Sequence, residues 1–316
     1  VALNGTAAGP GANGIEFVPG SYGVIRGLAI GGFQGAGIRS QSTGLIVNGC
    51  HVGTDAAGTT AVPNGNGIER VSGQTDIGGP ATVERMVIAG NTGDGIRVLS
   101  GAGPIVHCYV GTDPSGNAMG NGGHGIHVAG GAFCQIGAPY ISPCDADDVN
   151  QLLIANNAGD GIRVAPAASV AYVTAPRIFG NGGMSIDLGG DGPTANDYLD
   201  SDSGPNGLQN HPVLINADGI SIGGEMSGAP NLLHRIEFFR GTGCGNAPKY
   251  LGYVEVTTDG TGYAPISFTC DPIPPASTLT ATATNGYNTS EYAPCILSTN
   301  TPPGAPLAEL YDASGI

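Results

Sequence analysis

The hexapeptide "GDGIRV" occurs twice, at Gly93–Val98 and Gly159–Val164. Its second half belongs to a longer series: "GIEF" at Gly14, "GIRS" at Gly37, "GIER" at Gly67, "GIRV" at Gly95, "GIHV" at Gly125, "GIRV" at Gly161 and "SIDL" at Ser185, spaced 23 to 36 residues apart. Two other motifs recur between these. One is "IVNGCHVGTDAAG" (Ile46–Gly58) and "IVHCYVGTDPSG" (Ile105–Gly116); the looser one is "IRGLAIGGF", "VERMVIAGN", "NQLLIANNA" and "PRIFGNGG". Each unit thus holds about three short apolar strands parted by Gly and Asn turns, as β-solenoid repeats require. Like strands of successive coils would stack about 4.8 Å apart. Side chains alternate faces along a strand, so Ile and Val of "GIRV" point inward and the residue between them outward. The Gly and Asx residues before the Ile supply the turn, where positive φ is expected.

Composition agrees with a fold built of turns. The chain has 57 Gly and 23 Pro in 316 residues, yet 40% of it is hydrophobic, too apolar for a disordered chain. Gly and Pro interrupt every candidate helical period, which excludes long helices. A net charge of −15 with Lys249 as the single lysine disfavours nucleic-acid partners. No apolar run is long enough to span a bilayer. The chain opens inside the repeat pattern, at "VALNG", without a signal peptide, and is read as a segment of a longer chain. None of the seven cysteines forms a C-x-x-C pair, so the usual zinc spacings are absent. Cys134 and Cys144 flank a loop they would close as a disulfide. Cys244, Cys270 and Cys295 leave one odd thiol whichever pair forms; Cys244 with Cys295 is the pairing expected. This usage favours an oxidising, extracytoplasmic setting, secreted or at the cell surface.

The outward residues of the seven strands are Glu16, Arg39, Glu69, Arg97, His127, Arg163 and Asp187. In register they form one charged ladder, whose alternating signs stabilise an exposed sheet. Arg97, His127 and Arg163 are consecutive, a locally basic section and the candidate ligand-binding or catalytic set. It would hold an acidic sugar's carboxylate and supply an acid or base. Glu69 and Asp187 lie on opposite sides of that trio, too many rungs apart to serve as a glycosidase pair. Cys50 and Cys108, roughly 10 Å apart on a two-rung separation, are read as buried hydrophobes. His51, His107 and His124 are read as surface histidines, and the Thr and Asp of each "GTD" as turn formers.

After the last coil, "DLGGDGPTANDYLDSDSGPNGLQNHPVL" concentrates carboxylates. Asp191, Asp197, Asp200, Asp202 and Asn206 are candidate oxygen ligands for calcium, the one cofactor expected; a solvated linker is the alternative. From about Asn210 the strands lengthen: "HRIEFFRG", "KYLGYVEVTTDG", "YAPISFTC" and "STLTATATNG", with "TTDGTGY" as a hairpin signal. Such an antiparallel sandwich would cap the open end of the solenoid.

The combination of "VGTD", "GNGxGI", "IDLGGDG", "LQNHPVL" and "TATATNGYNTSE" resembles bacterial secreted proteins with right-handed parallel β-helix repeats and a C-terminal Ig-like module. The resemblance spans nearly the whole chain and implies a pectate-lyase-like solenoid with an exported life. Family members usually carry a cap before the first coil, which is missing here. The expected fold is therefore all-β: a right-handed parallel β-helix of about seven coils over 1–206, then a small Ig-like sandwich and tail over 207–316. The expected function is an extracellular scaffold of adhesin type, presenting flat faces to polysaccharides or other surface proteins without catalysis. The alternative is a polysaccharide lyase or glycoside hydrolase acting on an acidic glycan along Arg97, His127 and Arg163.

Overall fold

The computed structural model describes residues 1–131, 133–137, 152–166, 170–245, 247, 249–270 and 272–299. The chain winds through seven coils, laying down three parallel sheets. Sheet one stacks Ala2–Asn4, Ala29–Gly31, His51–Val52, Met86–Ile88, Cys108–Val110, Leu153–Ala155 and Arg177–Phe179. Sheet two stacks Ile15–Phe17, Ile38–Ser40, Ile68–Arg70, Ile96–Val98, Ile126–Val128, Ile162–Val164 and Ile186–Leu188. Sheet three stacks Tyr22–Arg26, Gly44–Asn48, Thr75–Ile77, Pro104–Ile105, Phe133–Ile136 and Val170–Val173. Neighbours within a sheet lie three strands apart in sequence, the topology of a parallel β-solenoid.

The repeated motifs supply the sheets: the "GIxV" series is sheet two, the looser motif falls on sheet one, and the "VGTD" motif runs from a strand of sheet three into one of sheet one. In sheet two, Ile38, Ile68, Ile96, Ile126 and Ile162 pair one on the next and are fully buried. Burying each is worth roughly 2 kcal/mol, so a coil is specified mainly by its inward column. Arg70 takes an inward place in the second inward column, between Ser40 and Val98, and is fully buried; its Nη1 donates to the Gly103 carbonyl at 2.8 Å. The glycines of "GDGIRV" have a different cause from the one expected. None of Gly93, Gly95, Gly159 and Gly161 has positive φ. A Cβ on Gly95 would sit 2.7 Å from the Gly125 carbonyl oxygen of the next coil and 2.7 Å from Val110 Cγ1. They are small because coils meet there. Positive φ falls instead at Gly53 (93°) and Gly111 (90°), in the two "VGTD" corners. Asp55 and Asp113 hold those corners, accepting backbone N–H groups of Thr59 and Thr60, and of Ser115 and Asn117.

A buried asparagine column runs up the corner between sheets one and two. Asn64 Nδ2 donates to Asn91 Oδ1 (3.0 Å), Asn91 to Asn121 (2.9 Å), Asn121 to Asn157 (2.8 Å) and Asn157 to Asn181 (2.9 Å). Each Nδ2 also donates to a strand carbonyl, such as Ile30 for Asn64 and Ile88 for Asn121. An amide can donate from Nδ2 and accept at Oδ1 at once, so identical side chains can bond head to tail along a stack.

The C-terminal part is two antiparallel sheets. One holds Val213–Asp218, Ser221–Ser227 and Tyr263–Thr269; the other holds Leu233–Gly241, Lys249–Thr257, Thr278–Asn285, Asn288–Thr289 and Ile296–Leu297. Their inner faces meet at a common core, where Phe238 and Phe268 stack 4.4 Å apart. The segment "TTDGTGY" is not a hairpin. Lys249–Thr257 pairs with Leu233–Gly241, whereas Tyr263–Thr269 pairs with Ser221–Ser227, so the turn crosses between sheets. Asp259 closes it by accepting the N–H groups of Thr261 and Tyr263. A disulfide joins Cys244 to Cys295.

This part covers the last coil. Its backbone N–H groups would otherwise face nothing, and polar side chains receive them. Ala171 donates to Asn206 Oδ1 (2.7 Å), Val173 to Thr289 Oγ1 (3.0 Å), Ala175 to Glu237 Oε2 (2.8 Å) and Leu188 to Glu291 Oε1 (2.9 Å). Among the described residues no helix is long and apolar enough to cross a membrane.

Candidate functional site

The middle residues of sheet two form a single in-register column: Glu16, Arg39, Glu69, Arg97, His127, Arg163, Asp187. Parallel pairing forces this, because each strand repeats its neighbour's inward residues. Arg39 is bonded to Glu16 and lies 3.7 Å from Glu69. Asp187 is an exception to outward exposure. It is 5% exposed, because the C-terminal part closes over the last coil, and burial, with the Asp160 charge adding to it, raises its pKa.

A second column stands one turn earlier, two residues before each inward Ile: Asn13, Ala36, Asn66, Asp94, His124, Asp160, Met184. Its polar members each accept the backbone N–H one coil further on. Asn13 Oδ1 receives Ala36, Asn66 Oδ1 receives Asp94, Asp94 Oδ1 receives His124, and Asp160 Oδ1 receives Met184, all at 2.8–2.9 Å. His124 does the same with a ring nitrogen: the Asp160 N–H donates to its Nδ1 at 2.9 Å. The aspartate of "GDGIRV" is therefore a coil-to-coil clamp.

The two columns meet at the fourth to sixth coils. His127 Nδ1 lies 3.0 Å from Asp94 Oδ2, and the His124 and His127 rings sit edge to face at 5.1 Å. Asp94, His124 and His127 bring one ligand atom each within 4.8 Å of one another. Burial would raise the Asp94 pKa, but the His127 hydrogen bond and the His124 N–H outweigh it and hold the carboxyl below its ordinary range. His124 Nδ1 is also 3.1 Å from Asp160 Oδ2. A proton on Nδ1 would serve the carboxylate and a lone pair serves the N–H; both cannot hold together. Burial lowers the His124 pKa despite the two nearby aspartates, and because the Asp160 backbone N–H can only donate, Nδ1 is the acceptor in that bond.

Arg97, His127 and Arg163 stand on consecutive strands as expected, with carboxylates of the turn column beside His127 and Arg163. His127 is bonded to Asp94, while Arg163 donates to the Gly190 carbonyl (3.1 Å) and lies 3.8 Å from Asp160. The compensating carboxylates come from the turn column, which alternation along the strand does not reveal. Arg97 Nε is buried with no hydrogen-bond partner. Two histidines were misread as surface groups. His107 is buried with Nδ1 2.7 Å from the Gly79 carbonyl, and His124 belongs to the cluster. Its only sequence signal was the place of "HG" before Ile126, where four other coils carry "NG" or "DG".

The acidic tract splits. Asp197, Asp200 and Asp202 come within 4.8 Å of one another. Burial pushes Asp200 up to about 6, opposed by the Asn210 N–H and reinforced by the Asp202 and Asp197 charges. Asp191 lies apart, on a cavity of about 440 Å³ that Thr194 and Ser203 share. Asn206 cannot be a ligand: its side chain is spent on Ala171 and Thr289 backbone groups, which hold the end of sheet three. Cys134 is fully buried in sheet three, and Cys144 lies outside the described residues. Cys50 and Cys108 are fully buried as well.

Beside the first half of the ladder runs a shallow groove of about 500 Å³, lined by Asn13, Gln34, Arg39, Asn66, Glu69 and Thr92 among others. It follows the turn column, where the chain is narrowed by glycine. No protein-family model matches the chain, and no curated protein matches it.

Proposed function

We infer that the protein is an extracellular, non-catalytic scaffold of adhesin type that binds neutral glycans in the groove beside sheet two. One observation carries the reading: the groove is lined by amide, hydroxyl and paired charged side chains, the donor and acceptor set that sugar hydroxyls need. Among the described residues Gln34 makes no side-chain hydrogen bond, and it lines the groove. The ladder supports binding over acidic-glycan cleavage, because Arg39 stands against Glu16 and Glu69, His127 against Asp94 and Arg163 near Asp160. A net charge of −15 adds long-range repulsion against polyanionic chains. The Cys244–Cys295 disulfide supports an oxidising compartment. The finer architecture we assign is a right-handed winding, from the general hand of parallel crossovers, with an Ig-like C-terminal sandwich.

A glycan array followed by calorimetry on the best neutral oligosaccharide tests this. Wild type binds, and the double variant Gln34→Ala, Glu69→Ala weakens binding by roughly tenfold or more, as expected for two lost hydrogen bonds. The reading fails if no glycan binds. It fails equally if acidic polysaccharides yield unsaturated or reducing ends that His127→Ala abolishes.

A further inference from the structure

The repeat breaks its own rules twice in one coil. The turn column otherwise uses Asn or Asp for its clamps, yet its fifth position is His124. The ladder otherwise uses Glu, Arg or Asp, yet its fifth position is His127. An amide or carboxylate would clamp the Asp160 N–H as well as an imidazole does, and a charged side chain would fill the ladder. Neither substitution is needed by the solenoid, and the two converge on one carboxylate, Asp94. Departures from a local rule that converge in space are where function concentrates.

We propose that Asp94, His124 and His127 form a binding site for a divalent transition-metal ion, of the zinc, nickel or cobalt class. Two imidazoles and one carboxylate are a donor set for such ions. The three ligand atoms already lie within 4.8 Å of one another, on strands and turns fixed by the coil above and below. Arg97 and Arg163 offset Asp94 and Asp160 in formal charge, so the site offers a hard cation little electrostatic attraction. Coordination by nitrogen must supply the affinity, and that selects against calcium and magnesium. The Asp160 N–H, donating to His124 Nδ1 at 2.9 Å, fixes that ring and leaves Nε2 to the metal.

The test uses tag-free full chain stripped with chelator, then titrated with ZnCl2 and with CaCl2 by calorimetry. Metal content is read separately after equilibrium dialysis. His124→Asn restores the residue type the turn column uses elsewhere, and His127→Gln keeps a polar ladder residue, so both fold. Wild type takes up one Zn²⁺ per chain and no Ca²⁺ at this site, and each variant weakens Zn²⁺ binding by about tenfold or more, with the metal-free melting temperature little changed. Zinc binding by the variants equal to wild type overturns the proposal, as does wild type that takes up no zinc. Neither result bears on the groove, whose glycan binding is measured on the metal-free chain.

Discussion

Asp94 shows how much one side chain does here. Its Oδ1 ties the fourth coil to the fifth through the His124 N–H, while its Oδ2 orients the His127 ring. Because its pKa is depressed, the stability it adds is present above the ordinary carboxylate range and is lost as pH falls through the folded value. Asp200 has the opposite sign. Its folded pKa is raised to about 6, so between about 4 and about 6 the native state holds more protons than the unfolded one. Stability from this group is present below about pH 4 and is lost as pH rises to about 6. The melting temperature of Asp200→Asn should therefore gain on that of wild type across this window, in the presence of chelator. An unchanged difference between pH 4 and pH 6.5 would show that Asp200 is not buried as described. Calcium bound by Asp197, Asp200 and Asp202 would reverse the trend, because a cation favours the ionised carboxyl.

Among the elements, the asparagine column matters most to the coil's integrity. Asn121 has its Nδ2 on Asn157 and on the Ile88 carbonyl, and its Oδ1 accepts from Asn91. All three neighbours are buried, so truncation leaves donors and acceptors without water. Asn121→Ala should cost on the order of 3 kcal/mol in urea unfolding, the sum of a lost amide and the groups it orphans. A loss below about 1 kcal/mol would mean that the column relaxes around the gap. Part of this was legible beforehand. The inward Ile stack, the outward ladder and the three strands per coil follow from period-two alternation and exact repetition. The asparagines recur four or five residues ahead of the Ile from the third coil onward, a signal present in "GNGxGI" but not interpreted. The two strands Val213–Asp218 and Ser221–Ser227 were also missed, although Asp218–Gly219 is a turn signal between them.

For the molecule as a whole, the decisive contact is between the last coil and the C-terminal part. Glu237 and Glu291 are buried acids, and each gives an oxygen to a solenoid N–H. Glu237 also pairs with Arg235 at 2.9 Å, which places a charge pair where the two parts join. A chain ending at Asn206 would leave Ala175 and Leu188 without acceptors and three strand edges open. Open parallel edges pair with other copies. The 1–206 fragment should therefore self-associate more strongly than the 1–316 chain in size-exclusion chromatography with light scattering. A monodisperse, monomeric fragment with an unchanged melting temperature would refute the capping role.

What the sequence determined by itself is what repeats: the coil, its inward column and the order of charges on its outward face. Parallel in-register stacking converts a sequence period directly into a spatial neighbour, so those contacts can be read without coordinates. What only the tertiary structure decided lies between columns. Whether Arg163 is free or paired, whether His124 is a surface group or a clamp, and whether Asn206 is a ligand or a cap depend on side chains from different stations meeting across a corner. Corner geometry is set by how closely glycine lets one coil approach the next, and strand alternation carries no information about it.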